Sequence, residues 1–119
     1  MTAMQRGKWG ELVALDYLEK LGYTCLAKSF RCRFGEIDII ANDNKFIVFA
    51  EVKTRKNARF AHAREYVNKN KQQKIIATAN YWLALRPTEL QPRFDVIEVY
   101  ASDGEKTKLP EINHLENAF

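Results

Sequence analysis

Three strand-like segments follow one another with no helix between them, and a helical segment stands on either side. This order constrains the fold more than any other feature of the chain. Residue types place the strands at about Tyr23 to Arg33, Glu36 to Asn42 and Phe46 to Thr54. A helix precedes them, from about Arg6 to Leu21, ended by Gly22. A second follows, from about Asn68 to Arg86, with Ile75, Ile76, Ala79, Trp82 and Leu83 on one face. Short strands around Arg93 to Tyr100 and Lys106 to Leu109 complete the order α-β-β-β-α-β-β. That order predicts an α/β domain, a mixed β-sheet flanked by helices, and 119 residues make one such domain.

Composition narrows the class further. Hydrophobic residues make up 46%, which excludes a disordered chain. No apolar run approaches the roughly 20 residues needed to cross a bilayer. Met1 to Gly10 lacks the apolar core of a signal peptide. The expectation is a cytoplasmic protein with no membrane partner. Cys25 and Cys32 then read as small buried residues rather than a disulfide, and with His62 and His114 in unrelated segments they make no zinc site.

The chemistry gathers on the second and third strands. Side chains alternate along a strand, so Ile47, Phe49, Glu51 and Lys53 share one face. Asp43-Asn44 is a hairpin turn signal. A two-residue turn there pairs Asn42 with Lys45 and Asp38 with Phe49, making Asp38 and Glu51 diagonal neighbours. A four-residue turn also keeps both acids on one face, whereas a three-residue turn does not. Two carboxylates and an ammonium converging at a strand end suit Mg²⁺, which takes oxygen ligands and leaves room for water and phosphate. Asp38 and Glu51 are the expected ligands, with Lys53 facing the reacting phosphate. The same three residues could equally be a solvated hairpin face carrying a salt bridge worth about 0–1 kcal/mol. Their apolar neighbours Ile40, Ile47 and Phe49 argue for burial, and so for pairing or metal binding. Glu11 poses a related question, because it falls inside the apolar arc of the first helix beside Ala14 and Leu18. A carboxylate there is costly unless something pairs with it.

Several ordered motifs carry a resemblance: Gly7-x-x-x-Glu11, Gly35-Glu-Ile-Asp38-Ile-Ile, Phe49-Ala-Glu51-Val-Lys53-x-Arg55, Lys71-Gln72, Arg93-Phe-Asp95-Val and Asn117-Ala-Phe119. The chain resembles the YraN-like bacterial proteins, a family of small predicted endonucleases similar to archaeal Holliday-junction resolvases. The resemblance implies the PD-(D/E)XK, restriction-endonuclease-like fold. It also implies that Asp38 is the first acid of that motif and that Glu51-x-Lys53 is its second part. Glu11 matches the first-helix acid that reaches the metal site, giving a catalytic set of Glu11, Asp38, Glu51 and Lys53. Of these, Glu11, Asp38 and Glu51 would hold Mg²⁺ or Mn²⁺. Resolvase-like relatives often pair, so a homodimer is one option the resemblance implies. The chain departs from the family pattern at Lys28-Ser29 and at Phe60-Ala61, neither of them a metal-ligand position.

From Lys53 to Lys74 there are eight basic residues and one acid, Glu65, for a local charge of +7 in a chain of net charge +4. The basicity therefore lies just downstream of the candidate site. Arg55, Lys56, Arg59, Lys71 and Lys74 are the expected phosphate contacts, with Phe60 and Tyr66 available to stack on bases. A solvated charge run without a partner is the plain alternative. The resulting expectation is a Mg²⁺-dependent endonuclease acting on structured or branched nucleic acid, DNA in preference to RNA. A nucleic-acid-binding module of the same fold that cuts nothing is the alternative, and a protein–protein adaptor is a third.

Overall fold

The computed structural model describes residues 2–56 and 67–119. Its elements are α1 (Ala3–Lys20), β1 (Thr24–Cys32), β2 (Gly35–Asn42), β3 (Phe46–Arg55), α2 (Lys69–Leu85), β4 (Gln91–Tyr100) and β5 (Glu111–Leu115), with a 3-10 turn at Gly104–Lys106. The five strands form one sheet in the order β1-β2-β3-β4-β5. β3 and β4 run parallel, and the other neighbours are antiparallel. The α-β-β-β-α-β-β order and the mixed sheet are as the sequence predicts.

Two helices cover the two faces of this sheet. Ile75, Ala79 and Trp82 of α2 pack on Ile37, Ile40, Ile47, Phe49 and Val96. Ala14 and Leu18 of α1 pack on Ile39, Ala41, Val48, Ala50, Val52, Ile97 and Val99. Alternation along β3 and β4 thus feeds two separate apolar layers, the arrangement expected when a strand is buried on both sides. Neither helix is long and apolar enough to cross a membrane.

Caps set the helix ends. Thr2 accepts the N–H of Gln5 at 3.1 Å while the Gln5 side chain accepts the Thr2 N–H at 2.8 Å. This capping box starts α1 three residues earlier than apolar periodicity suggests. At the other end Gly22 takes φ +100, and Tyr23 N–H closes on the Leu18 carbonyl at 3.0 Å. Asn68 caps α2 by accepting the Lys71 N–H at 2.9 Å.

Two details differ from the sequence reading. The last strand is Glu111–Leu115, beyond Pro110, rather than Lys106–Leu109. Ile112 and His114 supply its inward positions against Val99 and Ile97, whereas Leu109 is 88% exposed. The β2–β3 turn has four residues, not two. Asp43 Oδ1 accepts the N–H groups of Lys45 and Phe46 at 2.8 and 2.7 Å, which draws both into the turn and pairs Asn42 with Ile47. Asp38 is therefore in register with Glu51 instead of Phe49.

Gly10 fixes how closely α1 approaches the sheet. A Cβ there would stand 1.8 Å from Thr54 Oγ1 and 3.1 Å from Thr54 Cβ. Only glycine lets the helix lie this near the end of β3, and the next residue is Glu11. Gly10→Ala is expected to destabilise the domain by about 1–3 kcal/mol through overpacking. Urea unfolding measures this, and an unchanged midpoint would show that Thr54 rotates aside at no cost.

The C-terminus closes the far side of the sheet. Phe119 stacks on Phe94 at 5.3 Å, and Ala118 N–H bonds the Phe94 carbonyl at 2.7 Å. Beneath it lies a buried ionic network. Arg93 grips Asp95 with both Nε and Nη2 at 2.9 Å, and its Nη2 also donates to Tyr23 Oη at 2.7 Å. His114 Nε2 and the Asn117 N–H complete the Asp95 carboxylate at 2.6 and 3.0 Å. Tyr17 Oη lies 2.9 Å from His114 Nδ1 and so ties α1 to the edge strand β5.

Candidate active site

The β2–β3 ladder ends at Ile39–Ala50, one pair short of Asp38 and Glu51. There the regular alternation of β2 also breaks, since Ile37 packs under α2 and Ile39, two residues on, under α1. Across β1 the matching residue is Ser29, held at φ 49, a conformation that costs a serine energy. This slip turns the Asp38 carboxylate along the sheet, where its Oδ2 accepts the Val52 N–H at 2.8 Å.

Both helices deliver side chains to this point. The Glu11 carboxyl of α1 reaches the Asp38 carboxyl from one face of the sheet, close enough for the two to share a proton. Glu51, only 8% exposed, points with Phe49 toward α2. There Lys71 Nζ stands 3.0 Å from Glu51 Oε1, with Lys53 Nζ at 3.9 Å from the same oxygen. Five of the sequence-predicted residues therefore come together: Glu11, Asp38, Glu51, Lys53 and Lys71.

The electrostatics are those of crowded like charge. Burial and the nearby Glu11 carboxylate push Asp38 up to about 6, despite the Val52 N–H that favours its ionised form. Burial likewise raises Glu11, helped by the charges of Glu36 and Glu51. Glu51 is raised by burial and by Asp38, against the pull of Lys71. Among the lysines, burial and the contact with Lys71 lower Lys53. Burial opposes the ammonium of Lys71 too, but its contacts with Lys53 and Glu51 keep its pKa raised. Lys71 is the charged partner of Glu51, and Lys53 is the amine that gives up its proton more readily.

A donor set of carboxylates without thiol or imidazole suits a hard cation such as Mg²⁺ or Mn²⁺. All three acids are raised first by burial and then by neighbouring carboxylates, so a bound cation would favour their ionised forms. Among the described residues, however, no three such side chains are grouped closely enough to hold a metal ion as they stand. Glu51 is turned to Lys71, and a bound cation would have to draw it back toward Asp38.

The expected phosphate contacts separate. Arg55 is half-buried at the end of β3, and Lys56 is exposed beside a surface concavity shared with Arg6 and Lys106. Lys74 lies one helical turn from Lys71, against the β1–β2 tip at Gly35. Arg59 lies outside the described residues, as do Phe60, His62, Arg64 and Tyr66. Sequence reasoning missed Glu98, which is 1% exposed and in register with Lys53. It accepts bonds from Tyr100 Oη and Asn113 Nδ2, both at 2.7 Å. Its only signal was a carboxylate set between Ile97 and Val99 in the apolar second half of β4.

Fold and site together define a class: a small α/β domain with a five-stranded mixed sheet and a buried acid–lysine cluster where two central strands part. The model of the uncharacterised protein family UPF0102 matches residues 10–99. A UPF0102 protein of Caldanaerobacter subterraneus subsp. tengcongensis is 47% identical over 114 residues, covering 95% of this chain and 93% of its own length. One from Caldicellulosiruptor bescii is 46% identical with both chains covered in full. A third, from Clostridioides difficile, is 42% identical, again over the full length of both. The chain belongs to the UPF0102, YraN-like family.

Proposed function

We propose that this protein is a metal-dependent endonuclease of the PD-(D/E)XK type that hydrolyses phosphodiester bonds in nucleic acid, structured or branched DNA in preference to RNA. The observation that supports the reading is that a Glu11–Asp38 pair and a Glu51–Lys53–Lys71 group, drawn from separate elements, lie near one another where β2 and β3 part. Buried carboxylates with raised pKa values are unfavourable for folding, and a site that keeps them is a functional candidate. Glu11, Asp38 and Glu51 are the residues that would hold the cation. When bound, Mg²⁺ or Mn²⁺ supplies Lewis-acid polarisation of a phosphate oxygen and a more acidic water. Lys53, lowered in pKa by its surroundings, orients the attacking water or meets the developing charge on the phosphate. Lys71, now 3.0 Å from Glu51, would be free to meet a phosphate oxygen if Glu51 turned to hold a cation. Arg55, Lys56, Arg59 and Lys74 are the further phosphate contacts.

A second reading, a binding module that cuts nothing, is favoured by one observation: Lys71 already neutralises Glu51 at 3.0 Å. Cleavage of linear, nicked and four-way DNA, with Mg²⁺, Mn²⁺ or EDTA, tests both. The nuclease reading expects cutting that needs the cation. DNA binding without turnover in either metal would favour the module. Thermal melting adds a check that needs no substrate. Mg²⁺ should raise the melting temperature more at pH 7.5, where the acids are ionised, than at pH 5.

A further inference from the structure

On the side of α2 away from its N-terminus, the helix and the β1–β2 tip enclose a concavity of about 540 Å³. Its walls include Phe30, Arg31, Arg33, Tyr81, Leu85 and Arg86, with no acidic residue among them. Arg31 pairs with Glu36 at 3.1 Å, while neither Arg33 nor Arg86 has a carboxylate partner among the described residues. Tyr81 is 39% exposed, stacked on Phe30 at 6.3 Å, and Phe34 beside it is as exposed. The guanidinium of Arg86 lies over Trp82 at 3.8 Å, and that of Arg33 over Phe34 at 4.8 Å. Aromatic faces with unopposed guanidinium groups match one ligand chemistry, a planar base carrying a phosphate. The volume also lies in the range of small-ligand sites.

The concavity lies along the same helix as the acid–lysine cluster. Lys71, Lys74, Thr78, Tyr81 and Leu85 share one side of α2, but Thr78 is wholly buried, so the β1–β2 tip stands between the concavity and the cluster. The tip is held to that side by Gly35, where a Cβ would stand 3.1 Å from Thr78 Oγ1 and 3.6 Å from Lys74 Cβ. From Lys71 to Tyr81 the helix rises about 15 Å, the length of roughly four or five stacked nucleotides.

We propose that this concavity binds one unpaired nucleotide of a nucleic-acid strand, its base on Tyr81 and its phosphate between Arg33 and Arg86, with the strand passing over the β1–β2 tip toward the acid–lysine cluster. This rests on the nucleic-acid reading above and names its substrate class: DNA with a single-stranded arm, or an unpaired base roughly four or five nucleotides from the scissile bond.

The test is fluorescence anisotropy with a short labelled oligothymidylate in EDTA, so that binding is read without turnover. Arg33→Ala combined with Arg86→Ala should weaken binding at least about 10-fold and reduce the slope of log affinity against log salt by about 0.7, as for one phosphate no longer neutralised. Tyr81→Ala should weaken it roughly 5- to 100-fold with the slope unchanged. Bound oligothymidylate should also protect Cys32, on the same wall, from alkylation. All three positions are exposed, and melting curves check that the variants fold. Wild-type affinity and slope in the double variant would overturn the proposal. So would a dimer that the substitutions dissolve while oligothymidylate affinity is untouched, since the face would then belong to a second copy. Failure to cut any DNA, with this binding pattern intact, would remove the nuclease reading and leave the nucleotide site standing.

Discussion

Asp38→Asn is expected to slow metal-dependent cleavage by about 10²–10³-fold or more while making the folded protein more stable at neutral pH. The two effects share a cause. In the unfolded chain this carboxyl ionises near 3.8, and in the folded protein at about 6. The folded state therefore holds the proton more tightly, and stability falls as pH rises from about 4 to 6, the loss being complete above that. Glu11 and Glu51, both raised, act in the same direction. Asparagine keeps an acceptor for the Val52 N–H but carries no charge. The variant should gain on the order of 1–3 kcal/mol at pH 7.5 and show a flatter pH profile between 4 and 7. Urea unfolding at several pH values, beside the cleavage assay, measures both. A variant that melts below wild type at pH 7.5 would make Asp38 a structural carboxylate.

Asp95→Ala should do the reverse, with a loss of about 3–5 kcal/mol and on the order of 10–20 °C in melting temperature. Asp95 is wholly buried, and its removal strands the Arg93 guanidinium, whose side chain is only 8% exposed. It also releases His114 and the Asn117 N–H, and with them the C-terminal closure over Phe94. Burial works to raise the Asp95 pKa, but the bonds from His114, Arg93 and Asn117 lower it below 3.8. Its contribution is present above that value and is lost as pH falls through the lowered one, opposite in sign to the Asp38 cluster. These acids together place the stability maximum near about pH 4–5. A loss under about 1 kcal/mol for Asp95→Ala would mean that Arg93 finds another counterion.

The two carboxylate groups illustrate one distinction. Asp95 is fully compensated by fixed partners, which makes it structural. Glu51 has Lys71, but among the described residues neither Asp38 nor Glu11 has an ion pair, which makes their cluster a place where a cation changes the balance. Exposure alone separates them poorly, because Glu51 at 8% and Asp95 at 0% are both buried.

Much of this was present in the residues themselves. Period-two runs such as Phe46 to Lys53 and the helical spacing of Ile75, Ala79 and Trp82 are local signals, and they determined the elements and their order. Alternation put Glu51 with Ile47 and Phe49, and the face they share is indeed the one under α2. The apolar arc around Glu11 marked it as a carboxylate in need of a partner. Only the tertiary structure decided the rest. The Asp43 side chain drew two more residues into the turn, so a local hydrogen bond reset the register of Asp38. The slip at Ser29 and Asp38 is a conformation no pattern announces. Gly10 matters through its contact with Thr54, 44 positions along the chain. Lys71 meets Glu51, and Arg33 comes beside Tyr81, because helices and strands pack, and packing joins residues whose separation in sequence carries no trace of their distance in space.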